Sequence, residues 1–527
     1  MLNASGLIVL VSSVAVSLTA FAEHPCATCH PQQVENYLRT GMGRSLTRAA
    51  LQPPGRFVHR ASGSTVVITV NSSTMRQRIE RNGLSADHPV AYVIGSGHKA
   101  FGYLIDLRDH LYQSPLTYYS ERHVWDVAPG FEENGALDFN RPATLECLLC
   151  HSGQPRPVDN TLNHYQNPPF GAEAISCDRC HGPTERHLSS PTAANIINPR
   201  RLPPRARDSV CEQCHLMGEA RVLNPGKKLQ DFSAGQELEN IFTVFVRDQH
   251  EDPGEQREFK VISHVEQLVR SVCWRQSEGK LWCGSCHNPH ESSVDSSQYY
   301  RQRCLSCHRR TLAAAHQNLT GACIECHMQS RQAVDGSHAA FTDHKIARRP
   351  RPALAAAPVR DLVAWRPGPA ALSLRNRALA YLSVGERDRS AYHLNEAFRL
   401  MAAARKDFPS DPELAAGLGL ILLLKDLPRD AARAFELSLT LHPANPRNYQ
   451  NLAAAWSAAG EPQQAIRALE KAIELDPSLE VAYHLLADIY AKQNDRETQR
   501  RVLERYLRFR PQSIEARRLI SRLQAPQ

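Results

Sequence analysis

The hydrophobic pattern changes along the chain, and the first change comes at its start. Residues 6–20 (GLIVLVSSVAVSLTA) form a short apolar run that leads into the small-x-small pattern Ala20-Phe21-Ala22. This arrangement predicts a secretory signal peptide over residues 1–22, with an uncleaved membrane anchor as the alternative. No other stretch is apolar enough for a membrane span, so we expect the mature chain in the periplasm or outside the cell.

Two later stretches have the composition of β-strands. Residues 64–70 (STVVITV) are rich in β-branched side chains, and residues 91–119 are rich in aromatic ones. These stretches predict a small β-rich region over residues 53–141. We expect short helices and loops on either side of it.

The last third of the chain repeats with a period of 34 residues. The recurring prolines are Pro409, Pro443, Pro477 and Pro511, and the residues at the expected turns are Asp426, Gly460 and Asn494. Small residues also recur in this frame, where paired helices touch, which is the tetratricopeptide (TPR) signature. We therefore expect an all-α solenoid over residues 370–527 after a proline-rich linker at 349–369. It should contain an irregular helical pair, three full repeats and a closing helix from Ser513.

Cysteine is confined to the part of the chain before this linker. Fourteen of the 15 cysteines lie in seven copies of Cys-x-x-Cys-His. In chain order these are motif 1 (26–30), motif 2 (147–151), motif 3 (177–181), motif 4 (211–215), motif 5 (283–287), motif 6 (304–308) and motif 7 (323–327). Chance would supply on the order of 0.02 copies. The motif cysteines are Cys26, Cys29, Cys147, Cys150, Cys177, Cys180, Cys211, Cys214, Cys283, Cys286, Cys304, Cys307, Cys323 and Cys326, and the motif histidines are His30, His151, His181, His215, His287, His308 and His327.

The motif spacing predicts seven covalently attached haem c groups. Each thiol adds across one porphyrin vinyl group, and the adjoining histidine supplies the proximal iron ligand. Zinc sites or disulfides do not explain a histidine after every second cysteine. We expect the haem domain to span residues 23–348, with the porphyrins supplying much of its core.

The motif contexts resemble a known group. The stretches CDRCHGPTERH (177–187), CGSCHNPH (283–290) and CIECHMQSRQAVDGSHAAFTDHKIARRP (323–350) resemble multihaem cytochromes of the cytochrome c-554 group. The similarity is closest to the subgroup fused to TPR repeats, and it covers roughly residues 23–350 plus the repeats. The resemblance implies a haem-packed cytochrome domain followed by the solenoid, which is a mixed fold.

The resemblance also implies distal iron ligands. In that group the histidines after CHGP and in NPH commonly bind a neighbouring haem, which nominates His187 and His290 here. Similar contexts nominate His59, His264, His316, His338 and His344, with His98 and Met42 in reserve. Fourteen non-motif histidines between His24 and His344 exceed seven distal positions, so the sequence leaves open whether any iron has a free position.

Function is predicted at the level of a class. The absence of Cys-x-x-Cys-Lys argues against the nitrite-reducing haem of the pentahaem relatives, and no catalytic residue is nominated. Cys273, the remaining cysteine, is interpreted as an inert thiol, with a redox or ligand role as the alternative. The leading interpretation is an electron carrier whose repeats dock a redox partner or a protein segment. The alternatives are an oxidoreductase with one open haem acting on a small nitrogen or sulfur compound, and a redox sensor or scaffold.

Charge adds little to this interpretation. The polypeptide carries a formal net charge of +8, but seven haems would bring about 14 propionates and, when ferric, roughly +1 each, so the total is about +1 oxidised and about −6 reduced. Nucleic acid is not an expected partner outside the cytoplasm.

Overall fold

The computed structural model describes most of the chain. The described residues are 24–48, 51–131, 135–248, 259–292, 295–315, 322–333, 340–347, 361–367 and 370–524. The predicted signal peptide lies outside them. Among the helices described, none is both long and apolar enough to cross a bilayer.

A β-rich region follows motif 1, as predicted. Its first sheet is a four-stranded antiparallel meander in which Val66, Ile79 and Ala86 stand opposite one another and are fully buried. This follows from alternation, because every second side chain of a strand faces the same side. The strands are Gly55–His59, Ser64–Val70, Met75–Arg81 and Leu84–Pro89.

A second, seven-stranded antiparallel sheet packs with the meander around a shared core. Aromatic side chains fill much of this core, with Tyr103, Phe131 and Phe139 all at 1% exposure or less. Pairing along the sheet is antiparallel throughout. The strands are Leu46–Thr47, Tyr92–Ile94, Ala100–Leu107, His110–Gln113, Leu116–Tyr119, Val124–Val127 and Arg141–Pro142.

The motif-bearing part of the chain consists of short helices and three small sheets. The two-stranded sheets pair Pro155–Pro157 with Tyr165–Phe170 and Ser330–Gln332 with Ala340–Thr342. A third sheet has the order Ala220–Leu223, Phe242–Arg247, Leu362–Ala364. The helices are Pro31–Leu38, Leu145–His151, Asp178–His181, Glu185–Ser189, Pro204–His215, His264–Val269, Val272–Gln276, Cys283–Cys286, Ser296–Ala315 (kinked at His308) and Cys323–His327.

The third sheet corrects the predicted linker. Residues 362–364 lie within the linker predicted at 349–369, yet they form a strand that pairs with Phe242–Arg247. The sequence there is Leu-Val-Ala followed by Trp365, which is apolar enough to add an edge strand beyond the prolines. The repeat array therefore begins directly after a strand of the motif-bearing region.

The C-terminal region is an array of nine helices over the described residues 370–524. Asp426, Gly460 and Asn494 have φ angles of 59°, 78° and 59°, the left-handed conformation that ends a helix and starts a tight turn. The predicted helical pair, three repeats and closing helix are all present. The helices are Ala370–Arg387, Ala391–Ala404, Pro412–Leu424, Pro428–Leu441, Pro446–Ala458, Pro462–Leu475, Glu480–Lys492, Arg496–Phe509 and Ile514–Gln524.

The array packs along its length against the rest of the chain. Its first helices share a buried cluster with Val222, Phe245 and Leu362 of the third sheet, and Ile514 of the closing helix enters the β-rich core. Between these ends, the Leu162 amide donates to Asp476 over 3.3 Å. The solenoid is thus fixed at both ends and in the middle.

Three contacts between the array and the rest of the chain recur with the repeat period. His442, Asp476 and Arg510 each follow the second helix of a repeat, 34 residues apart. His442 Nε2 lies 3.3 Å from Asn160 Oδ1, and Arg510 forms a buried ion pair with Asp138 at 3.3 Å. The edge made by the inter-repeat loops is therefore the edge that contacts Asp138, Asn160 and Leu162.

Candidate functional site

The motif segments share one local geometry. In motifs 1, 3 and 5 the backbone N–H of the histidine donates to the backbone carbonyl of the first cysteine over 2.9 Å. One helical turn then places residues i, i+3 and i+4 on one side. Two thiols and an imidazole are thereby presented together, which is the arrangement that covalent haem attachment requires.

Four motif histidines lie opposite histidines that the sequence nominated as distal ligands. Their ring centroids are separated by 6.4 Å for His30–His187, 5.8 Å for His181–His290, 5.5 Å for His215–His264 and 6.1 Å for His287–His344. Two imidazoles bound to one metal from opposite sides, through bonds of about 2 Å, have centroids about 6 Å apart. All four separations fit that requirement.

Backbone carbonyls fix the orientation of several of these rings. The Nδ1 atoms of His181, His187 and His344 lie 2.7, 3.1 and 2.9 Å from the carbonyl oxygens of Ile197, Thr192 and Thr342. His327 of motif 7 has the same contact, 2.9 Å from Ala347 O. A proton held on Nδ1 leaves Nε2 with its lone pair, as a metal-ligating histidine needs.

The electrostatics favour neutral rings. Burial, followed by the nearby imidazoles of His344 and His215, lowers the pKa of His264 to about 3. Burial also lowers the pKa of His290 and of His344. Neutral imidazole is the form that binds iron, so these side chains are ready to act as ligands at neutral pH.

The thiols of different motifs lie next to one another. Cys26 contacts Cys177, Cys150 contacts Cys214, Cys211 contacts Cys283, and Cys304 contacts Cys323. Weaker electrostatic contacts join Cys180 to Cys211 and Cys286 to Cys307. Each motif therefore has at least one neighbouring motif, and motifs 1, 3, 4, 5, 6 and 7 follow one another in space, with motif 2 beside motif 4.

A cavity of about 590 Å³ adjoins motif 5. Its lining includes Cys283, three tryptophans (Trp274, Trp282 and Trp365) and Arg275. The volume lies within the range of cofactor sites, and flat aromatic walls suit a porphyrin plane, with the arginine available to a propionate. The residues present therefore fit the group that the motif predicts.

Other nominated residues are placed differently. His59 ends a strand of the meander, where its Nδ1 lies 2.7 Å from Ser62 Oγ, and no described motif histidine faces it. His98 is exposed in the bend between two strands, and Met42 is partly buried. The ring opposite His30 is that of His187, so the geometry favours His187 over Met42 at motif 1. His316 and His338 lie outside the described residues.

His151, His308 and Cys273 lie outside the four histidine pairs. His151 of motif 2 faces no other histidine ring within the described residues, and His308 of motif 6 is exposed. Cys273 is partly buried, and its thiol is within electrostatic reach of Cys286 and Cys304. The interpretation of Cys273 as an inert thiol stays a prediction.

The structure also brings together histidines that the sequence analysis did not nominate. His24 Nε2 lies 3.7 Å from Cys177 Sγ, and possible ligand atoms of His24, Cys26 and Cys177 lie within 4.8 Å of one another. His110 and His164 stack at 4.3 Å between centroids beside Phe509 of the array. The position of His24 two residues before motif 1 was a usable signal, whereas nothing in the sequence links His110 to His164.

Comparisons with known proteins support the repeat array directly. Residues 457–523 match the tetratricopeptide repeat family. Among solved structures, the MamA protein is 25% identical, with a TM-score of 0.25, over 28% of this chain and 80% of that chain. YrrB, described as a TPR protein with an unusual peptide-binding site, is 19% identical, with a TM-score of 0.26, over 28% of this chain and 74% of its own. The family match shows tetratricopeptide repeats in the C-terminal region over residues 457–523, as predicted.

A second comparison concerns the rest of the chain. The multiheme cytochrome MtrA of Shewanella baltica (strain OS185) is 26% identical over 178 residues, which make up 31% of this chain and 51% of MtrA. This chain therefore spans about half the length of the curated relative that it matches. The similarity to a multihaem cytochrome is weak and covers a minority of the chain.

Proposed function

We propose that this protein is an extracytoplasmic multihaem c-type cytochrome that carries electrons along seven haems. Each motif thiol would add its sulfur to one vinyl carbon and its hydrogen to the other, so attachment needs no oxidant. The observation that carries the proposal is the set of four facing histidine pairs, each joining a motif histidine to one nominated independently from its sequence context.

The proposal gives roles to the residues of the four pairs. His30, His181, His215 and His287 would be the proximal ligands, and His187, His290, His264 and His344 would be the corresponding distal ones. Haem iron with two such ligands gains and loses single electrons and leaves no position for substrate. The side chains keep the irons coordinated in both oxidation states, and the neighbouring motifs keep the groups close enough for transfer.

The repeat array is assigned a contact role within this proposal. Its loop edge contacts Asp138, Asn160 and Leu162, so a partner protein would dock on the helical faces that point elsewhere. The relative named above as having a peptide-binding site is built from the same kind of repeat. A partner protein bound to the array would thereby be held at a fixed distance from the cytochrome region.

The experiment is a haem count followed by a ligation test on the full-length protein matured in a host that attaches haem c. Mass spectrometry should find seven covalent haems, and reduced protein should bind little or no carbon monoxide. Fewer than seven haems, in a chain whose seven motifs are intact, would contradict the proposal. A variant with motif 6 changed to Ser-x-x-Ser-His serves as the calibration for the loss of one group.

One observation favours a second candidate function. His151 of motif 2 has no facing histidine within the described residues, and Tyr165 and Phe170 lie in the neighbouring two-stranded sheet. An iron held there by His151 alone would accept a small molecule, as in an oxidoreductase acting on a nitrogen or sulfur compound. Stoichiometric carbon monoxide binding, abolished when motif 2 is removed, would support that function instead.

A further inference from the structure

Motif 4 differs from the other motifs in its surroundings. Its thiols contact those of motif 2 through Cys150 and motif 5 through Cys283, and Cys180 of motif 3 is within electrostatic reach. Within the described residues, the thiols of the other motifs contact at most two other motifs. Motif 4 is therefore the branch point of the spatial series.

The imidazole pair at motif 4 is also oriented differently. The ring planes of His215 and His264 cross at 88°, whereas the pairs at motifs 1, 3 and 5 are inclined by 15°, 24° and 30°. Near-parallel imidazoles split the iron d orbitals of π symmetry, while crossed imidazoles leave them nearly equal in energy. Crossed ligands thus give a ferric iron an unusually anisotropic magnetic signal.

The distal ring at motif 4 lacks the anchor found at motifs 1 and 5. His187 and His344 direct Nδ1 at a carbonyl oxygen, but the buried Nδ1 of His264 has no hydrogen-bond partner among the described residues. A hydrogen bond from Nδ1–H makes imidazole a stronger donor, which stabilises ferric iron. Its absence at His264 shifts the balance toward the reduced state.

A fixed positive charge acts in the same direction. The Arg221 guanidinium donates to the carbonyls of Glu212, Gln213 and Leu216 at the end of the motif 4 helix, at 3.2, 3.0 and 2.9 Å. It also hydrogen-bonds to the Cys150 thiol of motif 2 and is in electrostatic contact with the Cys214 thiol, so its charge lies between motifs 2 and 4. Each reduction adds one negative charge, so a neighbouring partly buried cation favours it.

We propose that His215 and His264 hold the motif 4 haem between crossed imidazoles, and that the residues around it give this group the highest reduction potential of the series. Electrons arriving through motifs 2, 3 and 5 then collect there. This inference rests on the proposed function and names its internal electron sink.

The test is a redox titration of the full-length, haem-loaded protein, followed by electron paramagnetic resonance. Dithionite supplies the electrons, one per ferric iron, with no bond formed or broken. We expect a highly anisotropic low-spin signal, with the intensity of one haem in seven, that disappears before the ordinary low-spin signals. Absence of this signal, or its loss after the others, would overturn the inference.

Matched variants assign the signal. His264→Ala should abolish the anisotropic signal and produce high-spin iron equal to one haem, while His290→Ala should remove an ordinary signal and leave the anisotropic one. Loss in His344→Ala but not in His264→Ala would overturn the assignment. A haem count below seven in the unmodified protein would instead signal failure of the proposed function, so the two failures are distinguishable.

Discussion

The motif-bearing segment from Phe259 to residue 347 and the repeat array reach compactness by different means. Over residues 370–524 the array buries 36 apolar side chains, among which alanine is frequent. The described part of the segment 259–347 buries three, namely Phe259, Val265 and Ala333. The array therefore has the apolar burial needed to fold from its own side chains, and the motif segment does not.

This difference teaches where the core of the motif segment comes from. Its helices carry the thiols and imidazoles of motifs 5, 6 and 7, whereas leucine and alanine fill the core of the array. Under the proposed function, covalently held porphyrins supply the missing apolar area. The core of the array thus consists of its own side chains, whereas the core of the motif segment would consist largely of cofactor.

The largest expected effect comes from withholding haem. In protein made without haem attachment, the segment 259–347 should be cut rapidly by protease, because too little apolar area is buried to hold it. A helical fragment covering the array should survive. Limited proteolysis with mass spectrometry reads out both parts, and haem-loaded protein is the control. A resistant segment 259–347 in haem-free protein would contradict this view of its core.

The second prediction concerns the buried ion pair that joins the two regions. Arg510 and Asp138 are 3% and 6% exposed, and Arg510 also binds Glu480 at 3.2 Å. Arg510→Met should cost about 3–5 kcal/mol, because it leaves a buried carboxylate without its partner. Denaturant unfolding should then show the array and the β-rich region separating into two transitions.

A matched arginine serves as the control for this variant. Arg505, in the helix Arg496–Phe509 that Arg510 follows, pairs with Glu470 at 2.6 Å on the surface. Arg505→Met should cost less than about 1 kcal/mol and keep the transitions together, because solvent screens exposed pairs. Equal losses for Arg505→Met and Arg510→Met would mean that burial does not set the strength of this junction.

The third prediction is a pH dependence at the same junction. Burial, followed by the charge of Arg510, lowers the pKa of His88 to about 4. Below about pH 6.5 the His88 ring takes up a proton in the unfolded chain but not in the folded one. The stability contributed by the neutral ring is therefore fully present above that pH and is lost as the pH falls. About 3 kcal/mol should be lost between pH 6.5 and 4. His88→Gln should flatten this part of the stability profile measured by denaturant unfolding, and an unchanged slope would argue against a neutral buried ring.

The smallest effects probe the packing of the array. A methyl group at Gly419 would meet the Phe435 ring at 3.0 Å, and one at Gly417 would meet Met401 Cε at 2.7 Å and Leu382 Cδ2 at 2.9 Å. Gly419→Ala should cost about 1–3 kcal/mol through overpacking. Gly417→Ala should cost at least as much, because the buried ends of Met401 and Leu382 must both move to admit the methyl group. Thermal unfolding of both variants gives the comparison, and a stabilising Gly419→Ala would show a looser array than described.

Local patterns explain most of what the sequence predicted. The 34-residue period contains its own turns and small contact positions, so the array follows from neighbouring residues. The strand Ser64–Val70 could likewise be predicted from its β-branched composition. The seven motifs are local too, which is why the attachment residues could be named while their spatial order could not.

Long-range pairing accounts for what was missed. His30 and His187 are separated by the whole β-rich region, and no periodicity joins them. The strand Leu362–Ala364 was hidden by surrounding prolines, because its partner lies more than a hundred residues earlier. The docking of the array through His442, Asp476 and Arg510 also depends on residues supplied by a distant part of the chain.

The histidine pairs have a consequence for the timing of assembly. The ring opposite His30 comes after motif 3, the ring opposite His181 after motif 5, and the ring opposite His287 after motif 7. A chain emerging from its amino end therefore offers each of these irons its first ligand long before its second. Under the proposed function, each of these irons has only one histidine ligand for a period during biogenesis. The iron at motif 5 gains its second ligand only when His344 has followed.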